Sequence, residues 1–287
     1  METPFPPFDP DGEPDNPDAG SRANGHATPR LRDIPLRTIF PNLLTLLAIC
    51  SGLTSIRFSV EGQIGLSIAA IILAAFLDGI DGRIARFLKS STRFGAQMDS
   101  LADFVNFGVA PAMLLYFTLL DGMRSFGWIA AIIYASCACL RLARFNAMLD
   151  MPSRPKWQNN FFVGVPAPAG AMIVMAPVYF LQLGMENTIS LDVFAAFYAI
   201  FIGLLMVSSL PTFSGKDMGS RVPRDYVMPL LILTVVVVAV LLSYPWETLL
   251  VLTLAYLAAL PFGLRAWQNR LSEELAASDE GKPSQEE

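Results

Sequence analysis

Residues 77–104, LDGIDGRIARFLKSSTRFGAQMDSLADF, hold four aspartates, Asp78, Asp81, Asp99 and Asp103, among Arg83, Arg86, Lys89 and Arg93. The stretch follows directly on an apolar run, SIAAIILAAF. At about 100° per residue, Asp78, Asp81, Gly82 and Ala85 fall within one arc of a helix, with Arg86 at its edge. Asp99 and Asp103 are an i, i+4 pair and share a face. Between the two groups, Ser90, Ser91, Thr92 and Gly95 are turn-forming residues. The spacing therefore predicts an antiparallel helix pair whose acidic faces converge at the edge of an apolar layer.

The rest of the chain is composed for that layer. Its 287 residues are 53% hydrophobic and 16% charged, with a mean hydropathy of +0.48. A soluble domain carries about 25% charged residues. Apolar segments occur at 38–56, 62–86, 97–120, 125–146, 163–184, 190–210, 226–244 and 247–265. Each approaches the roughly 20 residues that span about 30 Å of hydrocarbon. The expectation is an all-α, polytopic integral membrane protein of about eight transmembrane helices. The segment at 62–86 is apolar only over 64–77, so the acidic motif completes the span at interfacial depth. With eight spans, every Lys and Arg of the 20 except Arg57 and Arg124 lies on the side of the termini. That asymmetry predicts aspartates and both termini facing the cytoplasm, at the cell's inner membrane.

Residues 1–33, rich in Pro, Gly, Asp and Asn, read as a disordered cytoplasmic N-terminal tail. Residues 34–268 form the transmembrane domain that carries the aspartates, and 269–287 read as a disordered cytoplasmic C-terminal tail. No basic run is interleaved with aromatics, so no nucleic-acid partner is expected. The single histidine, His26, lies in the N-terminal tail, which excludes histidine-based acid/base or metal chemistry in the spans. Cys50, Cys137 and Cys139 sit in apolar segments and read as small packing residues.

Four close carboxylates near a low-dielectric region repel one another and require cations. The neighbouring arginines point to other faces or sit in the connecting turn, so divalent metals are the better answer. Mg²⁺ and Mn²⁺ are hard ions that take carboxylate oxygens, and two of them can share bridging carboxylates. Such a site suits a diphosphate.

The pattern D78-x-x-D81-G82-x-x-A85-R86-x8-G95-x3-D99-x3-D103 resembles the CDP-alcohol phosphotransferase signature at every fixed position. The resemblance implies a six-helix membrane core and metal-dependent transfer of a phosphatidyl group from CDP-diacylglycerol to an alcohol, releasing CMP. It implies that Asp78, Asp81 and Asp99 are ligands of a two-metal site, Mg²⁺ or Mn²⁺, with Asp103 on the second metal and also the general base. It implies that Gly82, Ala85, Arg86 and Gly95 shape the nucleotide site. A homodimer embedded among membrane lipids is expected on the same ground.

Three further stretches bear on the acceptor: CLRLARFN with Arg141, Arg144 and Asn146, then FFVGVPAPAGA at 161–171, then VSSLPTFSGK at 207–216 with Lys216. Together with PNLLTL, which contains Asn42 and Thr45, they resemble the phosphatidylserine synthase branch of the family. That likeness implies L-serine as acceptor. Arg141, Arg144, Asn146 and Lys216 are the acceptor candidates, while Asn42 and Thr45 join the CDP-diacylglycerol site. A serine carboxylate needs a fixed cation, which an arginine supplies bidentately. The bland alternative is that both arginines are headgroup anchors. Glycerol 3-phosphate, inositol or choline are alternative acceptors for the same chemistry. A cation transporter or channel is the alternative from another class. It is disfavoured by the lack of internal repeats and by acids clustered at one end.

Overall fold

The computed structural model describes residues 36–87, 93–149, 161–208, 211–213 and 224–280. Helices α1 (Leu36–Val60) and α2 (Ile64–Phe87) form an antiparallel pair. Gly62, at φ 74°, ends α1. Gly62 N–H donates to Ser59 O and Gln63 N–H to Phe58 O, the paired bonds of a Schellman stop. Hydroxyls lace the two helices together. Ser51 Oγ donates to Ala70 O at 2.7 Å, and the buried Ser67 Oγ lies 2.8 Å from both Ser55 Oγ and Ser59 Oγ. In an apolar surrounding each such interhelical bond is worth roughly 0.6 kcal/mol, up to about 1.7.

The third rod is not the plain helix expected over 97–120. It runs as α3 (Arg93–Asp103), a wider π-helical turn over Phe104–Val109, α4 (Ala110–Leu115), a second π turn over Tyr116–Leu120 and a 3₁₀ turn over Asp121–Met123. Pro111 explains the first widening. A proline has no N–H to give the carbonyl four residues back, which here is Phe107 O. The hydroxyl of Tyr134, on α5 (Ser125–Leu149), donates to Phe107 O at 3.0 Å instead.

The same device recurs in the fifth segment, which is broken at Met175 into α6 (Ala167–Val174) and α7 (Ala176–Gln182). Pro177 cannot serve Ile173 O. The Tyr198 hydroxyl, on α8 (Ile189–Val207), donates to it at 3.1 Å, and Tyr179 Oη donates to Met172 O at 3.1 Å. Tyr134 and Tyr179 are fully buried beside Phe107, Leu114, Leu115, Ile202 and Met206, which centre the core. Helices α5 and α8 approach closely at Gly203, where an added Cβ would lie 3.3 Å from Cys137 Cβ. Cys137 is thus the small packing residue expected, while Cys50 and Cys139 are exposed.

One feature departs from an all-helical chain. Strands β1 (Phe161–Val163) and β2 (Pro211–Phe213) pair antiparallel, with Phe161 opposite Phe213 and Val163 opposite Pro211. They join two of the stretches singled out in the sequence. Gly164 follows at φ 78°, where a Cβ would meet Ser208 O at 2.9 Å, so glycine is required there on both counts.

Helices α9 (Arg224–Ser243) and α10 (Pro245–Glu280) close the chain. Helix α10 continues to Glu280, past residue 268, where the sequence reading begins a disordered tail. The segment AWQNRLSEELAASDE holds no Gly or Pro, and its good helix formers let the helix propagate to Glu280. Residues 1–35 and 281–287 lie outside the described residues.

Among the described residues, five helices are long and apolar enough to cross a membrane: Phe40–Val60, Ile64–Ile84, Phe94–Met123, Ser125–Met148 and Ile189–Val207. Shorter apolar stretches occur at Val227–Ser243 and Pro245–Pro261. The count of eight is not reached on this criterion: the Met175 break divides the fifth segment, and the apolar stretches of α9 and α10 are shorter than a span. The chain is a polytopic, helical membrane protein, with large apolar side chains such as Leu73, Phe76, Leu140 and Phe201 on its outer faces.

Removing the Tyr134 hydroxyl with Tyr134→Phe strands a buried carbonyl and should destabilise the fold by about 1–3 kcal/mol. Thermal unfolding in detergent measures this, and an unchanged midpoint would show that Phe107 O has another donor.

Candidate functional site

Helix α2 carries Asp78 and Asp81 on its last turns, and α3 carries Asp99 and Asp103. The antiparallel packing brings Asp78, Asp99 and Asp103 together, with one carboxylate oxygen of each within 4.8 Å of the others. Asp78 and Asp103 are within hydrogen-bonding distance of each other. Asp81 stands one turn away on α2, close enough for its charge to act on both Asp78 and Asp99. Its Oδ2 accepts a 2.6 Å hydrogen bond from Thr45 Oγ1 of α1. Both Asp81 and Thr45 are buried.

Among the described residues, charge balance in this group is incomplete, with the charge of Arg141 acting on Asp103. Among the described residues, no Lys or Arg forms an ion pair with any of the four carboxylates; the ion pair recorded is Arg57–Glu61, elsewhere on the surface. Asp81 Oδ1 and Asp103 Oδ1 are buried without a hydrogen-bond partner. A carboxylate left this way carries a large desolvation penalty unless a cation meets it. The donor set consists of hard oxygens alone, which suits Mg²⁺ or Mn²⁺ and not a soft metal. The residues present therefore fit a divalent-cation site.

The other expected residues divide. Gly82 faces open space, with no atom within 4 Å of where a Cβ would stand, so its backbone is open to approach. Gly95 lies half-buried on the first turns of α3, and Asn42 is half-buried near the start of α1. Ala85 and Arg86 continue α2, but their side chains lie outside the described residues, as does Lys216 altogether. Thr45, expected at the nucleotide, donates its hydroxyl to Asp81.

Helix α5 supplies the remaining candidates. Arg141 is 9% exposed, its Nε has no partner, and its charge acts on Asp103. Its guanidinium sits 6.0 Å from the Phe145 ring centroid. Arg144 Nη2 donates to Ser208 O at 2.9 Å, tying the end of α5 to the end of α8. Asn146 Nδ2 donates to Ser100 Oγ at 3.0 Å, tying α5 to α3 between Asp99 and Asp103.

One residue went unremarked in the sequence. Asn106 is fully buried, neither of its amide atoms has a partner, and it presses against Gly52 of α1. The signal was present, since Asp99, Asp103 and Asn106 recur at i, i+4 and i+7. The Thr45–Asp81 and Ser100–Asn146 pairs left no such signal.

Comparison with known proteins assigns the class. The pattern of the CDP-alcohol phosphatidyltransferase family matches residues 38–211, and that of CDP-alcohol phosphatidyltransferase 2 matches 225–261. The chain belongs to the CDP-alcohol phosphatidyltransferase family. It is similar to the CDP-diacylglycerol–serine O-phosphatidyltransferase of Mycobacterium leprae, 42% identical over 82% of this chain and 78% of that protein. The protein of the same name from Helicobacter pylori is 30% identical over 80% of this chain and 91% of its own length. The archaetidylserine synthase of Methanothermobacter thermautotrophicus is 33% identical over 59% of this chain and 67% of its own length.

A cluster of uncompensated carboxylates should oppose folding until cations bind. In excess chelator, Asp103→Asn should therefore raise the unfolding midpoint by a few degrees, on the order of 1 kcal/mol, while losing the stabilisation that Mg²⁺ or Mn²⁺ gives the wild type. A lower midpoint in chelator would show that the carboxylates are already compensated within the protein.

Proposed function

We propose that the chain transfers the phosphatidyl group of CDP-diacylglycerol to L-serine, giving phosphatidylserine and CMP. The observation that carries the reading is the meeting of Asp78, Asp99 and Asp103 within 4.8 Å at the end of membrane-length helices. The names of the relatives supply the acceptor. The site faces the cytoplasm of the inner membrane in this reading, and the enzyme works as a homodimer.

Asp78, Asp81, Asp99 and Asp103 would hold two divalent cations, which when bound neutralise the diphosphate and the charge that grows on departing CMP. Gly82 leaves room for phosphates against the α2 backbone. Arg86, Ala85, Gly95 and Asn42 complete the nucleotide side. Asp103 takes the proton of the serine hydroxyl on Oδ1, the oxygen without a partner. The serine oxygen then bonds to the phosphorus that carries diacylglycerol, the bond from that phosphorus to the CMP oxygen breaks, and CMP leaves.

Arg141 is the favoured partner for the serine carboxylate. It is buried beside Asp103 with Nε free, whereas Arg144 is engaged with Ser208 O. Lys216 remains a candidate for a phosphate. Asn146 acts through Ser100 on the placement of Asp99 and Asp103. A cation conduit is the weaker reading, because beyond Asn106 the interior closes with Ile68, Ile71, Phe107, Leu114 and Leu115, all buried and apolar.

A panel of labelled acceptors with CDP-diacylglycerol tests the reading. Serine should be converted to phosphatidylserine with CMP release, and chelation should abolish turnover until Mg²⁺ or Mn²⁺ is restored. Turnover of glycerol 3-phosphate but not serine would overturn the acceptor. Asp103→Asn should lower kcat by about 10²–10⁴-fold, the usual worth of a general base. Arg141→Lys should raise the KM for serine about tenfold or more, since it loses the bidentate fork, and should leave the KM for CDP-diacylglycerol unchanged.

A further inference from the structure

We propose that Thr45 is a positioning residue that restricts Asp81 to a single metal-binding oxygen and so sets which divalent cation the site prefers. The inference rests on the metal reading above and deepens it. Thr45 and Asp81 lie 36 residues apart on different helices, both are buried, and their contact is 2.6 Å. A threonine hydroxyl has one hydrogen to donate. Pro41 O is also in reach, at 3.2 Å, but the shorter contact to a carboxylate is the stronger bond. Asp81 Oδ2 thereby has a lone pair engaged by the hydroxyl, and the carboxylate is held in one orientation. Oδ1, buried and without a partner, is the oxygen left for a cation.

The consequence is selective. Ca²⁺ takes six to eight oxygens and readily uses a carboxylate bidentately, whereas Mg²⁺ demands octahedral geometry with single oxygens at shorter range. A carboxylate held to one oxygen favours the smaller ion. Losing the hydroxyl frees Asp81 to turn and to offer both oxygens.

The test is metal binding to the purified full chain in detergent, without substrates. Mn²⁺ is titrated by electron paramagnetic resonance and Ca²⁺ by competition. Thr45→Val should weaken Mn²⁺ binding about tenfold or more, as loss of a ligand's outer hydrogen bond commonly does. It should weaken Ca²⁺ binding less, so that the Ca²⁺-to-Mn²⁺ preference rises. Thr45→Ser keeps the hydroxyl and should keep both values. On an Asp81→Asn background, Thr45→Val should add no further loss. Should Thr45→Val fail to fold, Thr45→Ala removes the hydroxyl without bulk and reads the same quantities. A wild-type Mn²⁺ affinity and preference in the hydroxyl-free variant would overturn the role of Thr45. No Mn²⁺ binding by the wild type would instead overturn the metal reading itself.

Discussion

In hydrocarbon, a polar group without a partner costs several kcal/mol, and this one rule organises the molecule. The serines of α1 and α2 satisfy it among themselves. The carbonyls that Pro111 and Pro177 leave without a helical donor accept from Tyr134 and Tyr198 on neighbouring helices, Ile173 O together with the Met175 N–H. Against that background the exceptions carry meaning. Asp81, Asp103, Asn106 and Arg141 keep partnerless buried atoms around the carboxylate cluster, and Thr118 and Asp192 do so far along the chain from it. Among the described residues, the buried atoms left without partners are thus concentrated in the group whose hard oxygens suit a divalent cation.

The spacing of the aspartates was legible in the sequence because helical periodicity is local. Four residues on two adjacent helices, joined by a short turn, leave few ways to meet. Their meeting was foreseen, but the separation of Asp81 from the other three was not. Asp81 is instead bonded to Thr45, on a helix whose register against α2 no local pattern reveals. The irregular third rod was equally hidden. Pro111 was visible, but whether it breaks, kinks or widens a helix depends on which donor stands beside Phe107 O, and that donor is 27 residues away. Arg144 and Asn146 are acceptor candidates through the likeness of CLRLARFN to the phosphatidylserine synthase branch. Their partners, Ser208 O and Ser100, are contacts made only once α5, α8 and α3 are packed.

The site is divided between elements in a way that bears on its chemistry. The carboxylates come from α2 and α3, and the groups proposed for the acceptor come from α5. The Ser100–Asn146 bond joins the two sets at their boundary, between Asp99 and Asp103. Arg144 holds the end of α8 to α5, and the tight approach at Gly164 holds the β1–β2 pair to the end of α8. Cation holding and acceptor choice can therefore vary separately, since function rests on side chains grafted onto a common frame.

The proline–tyrosine pairs carry a consequence for how this chain can change. At Phe107 O, losing Tyr134 first leaves a buried carbonyl bare. Losing Pro111 first restores a backbone donor, after which the hydroxyl has nothing left to do. Two routes lead to the same pair of replacements, and only one crosses a destabilised intermediate. The Pro111–Tyr134 pair is a ratchet in sequence space. Once a proline and its tyrosine have been acquired, the tyrosine cannot be surrendered until the proline has gone.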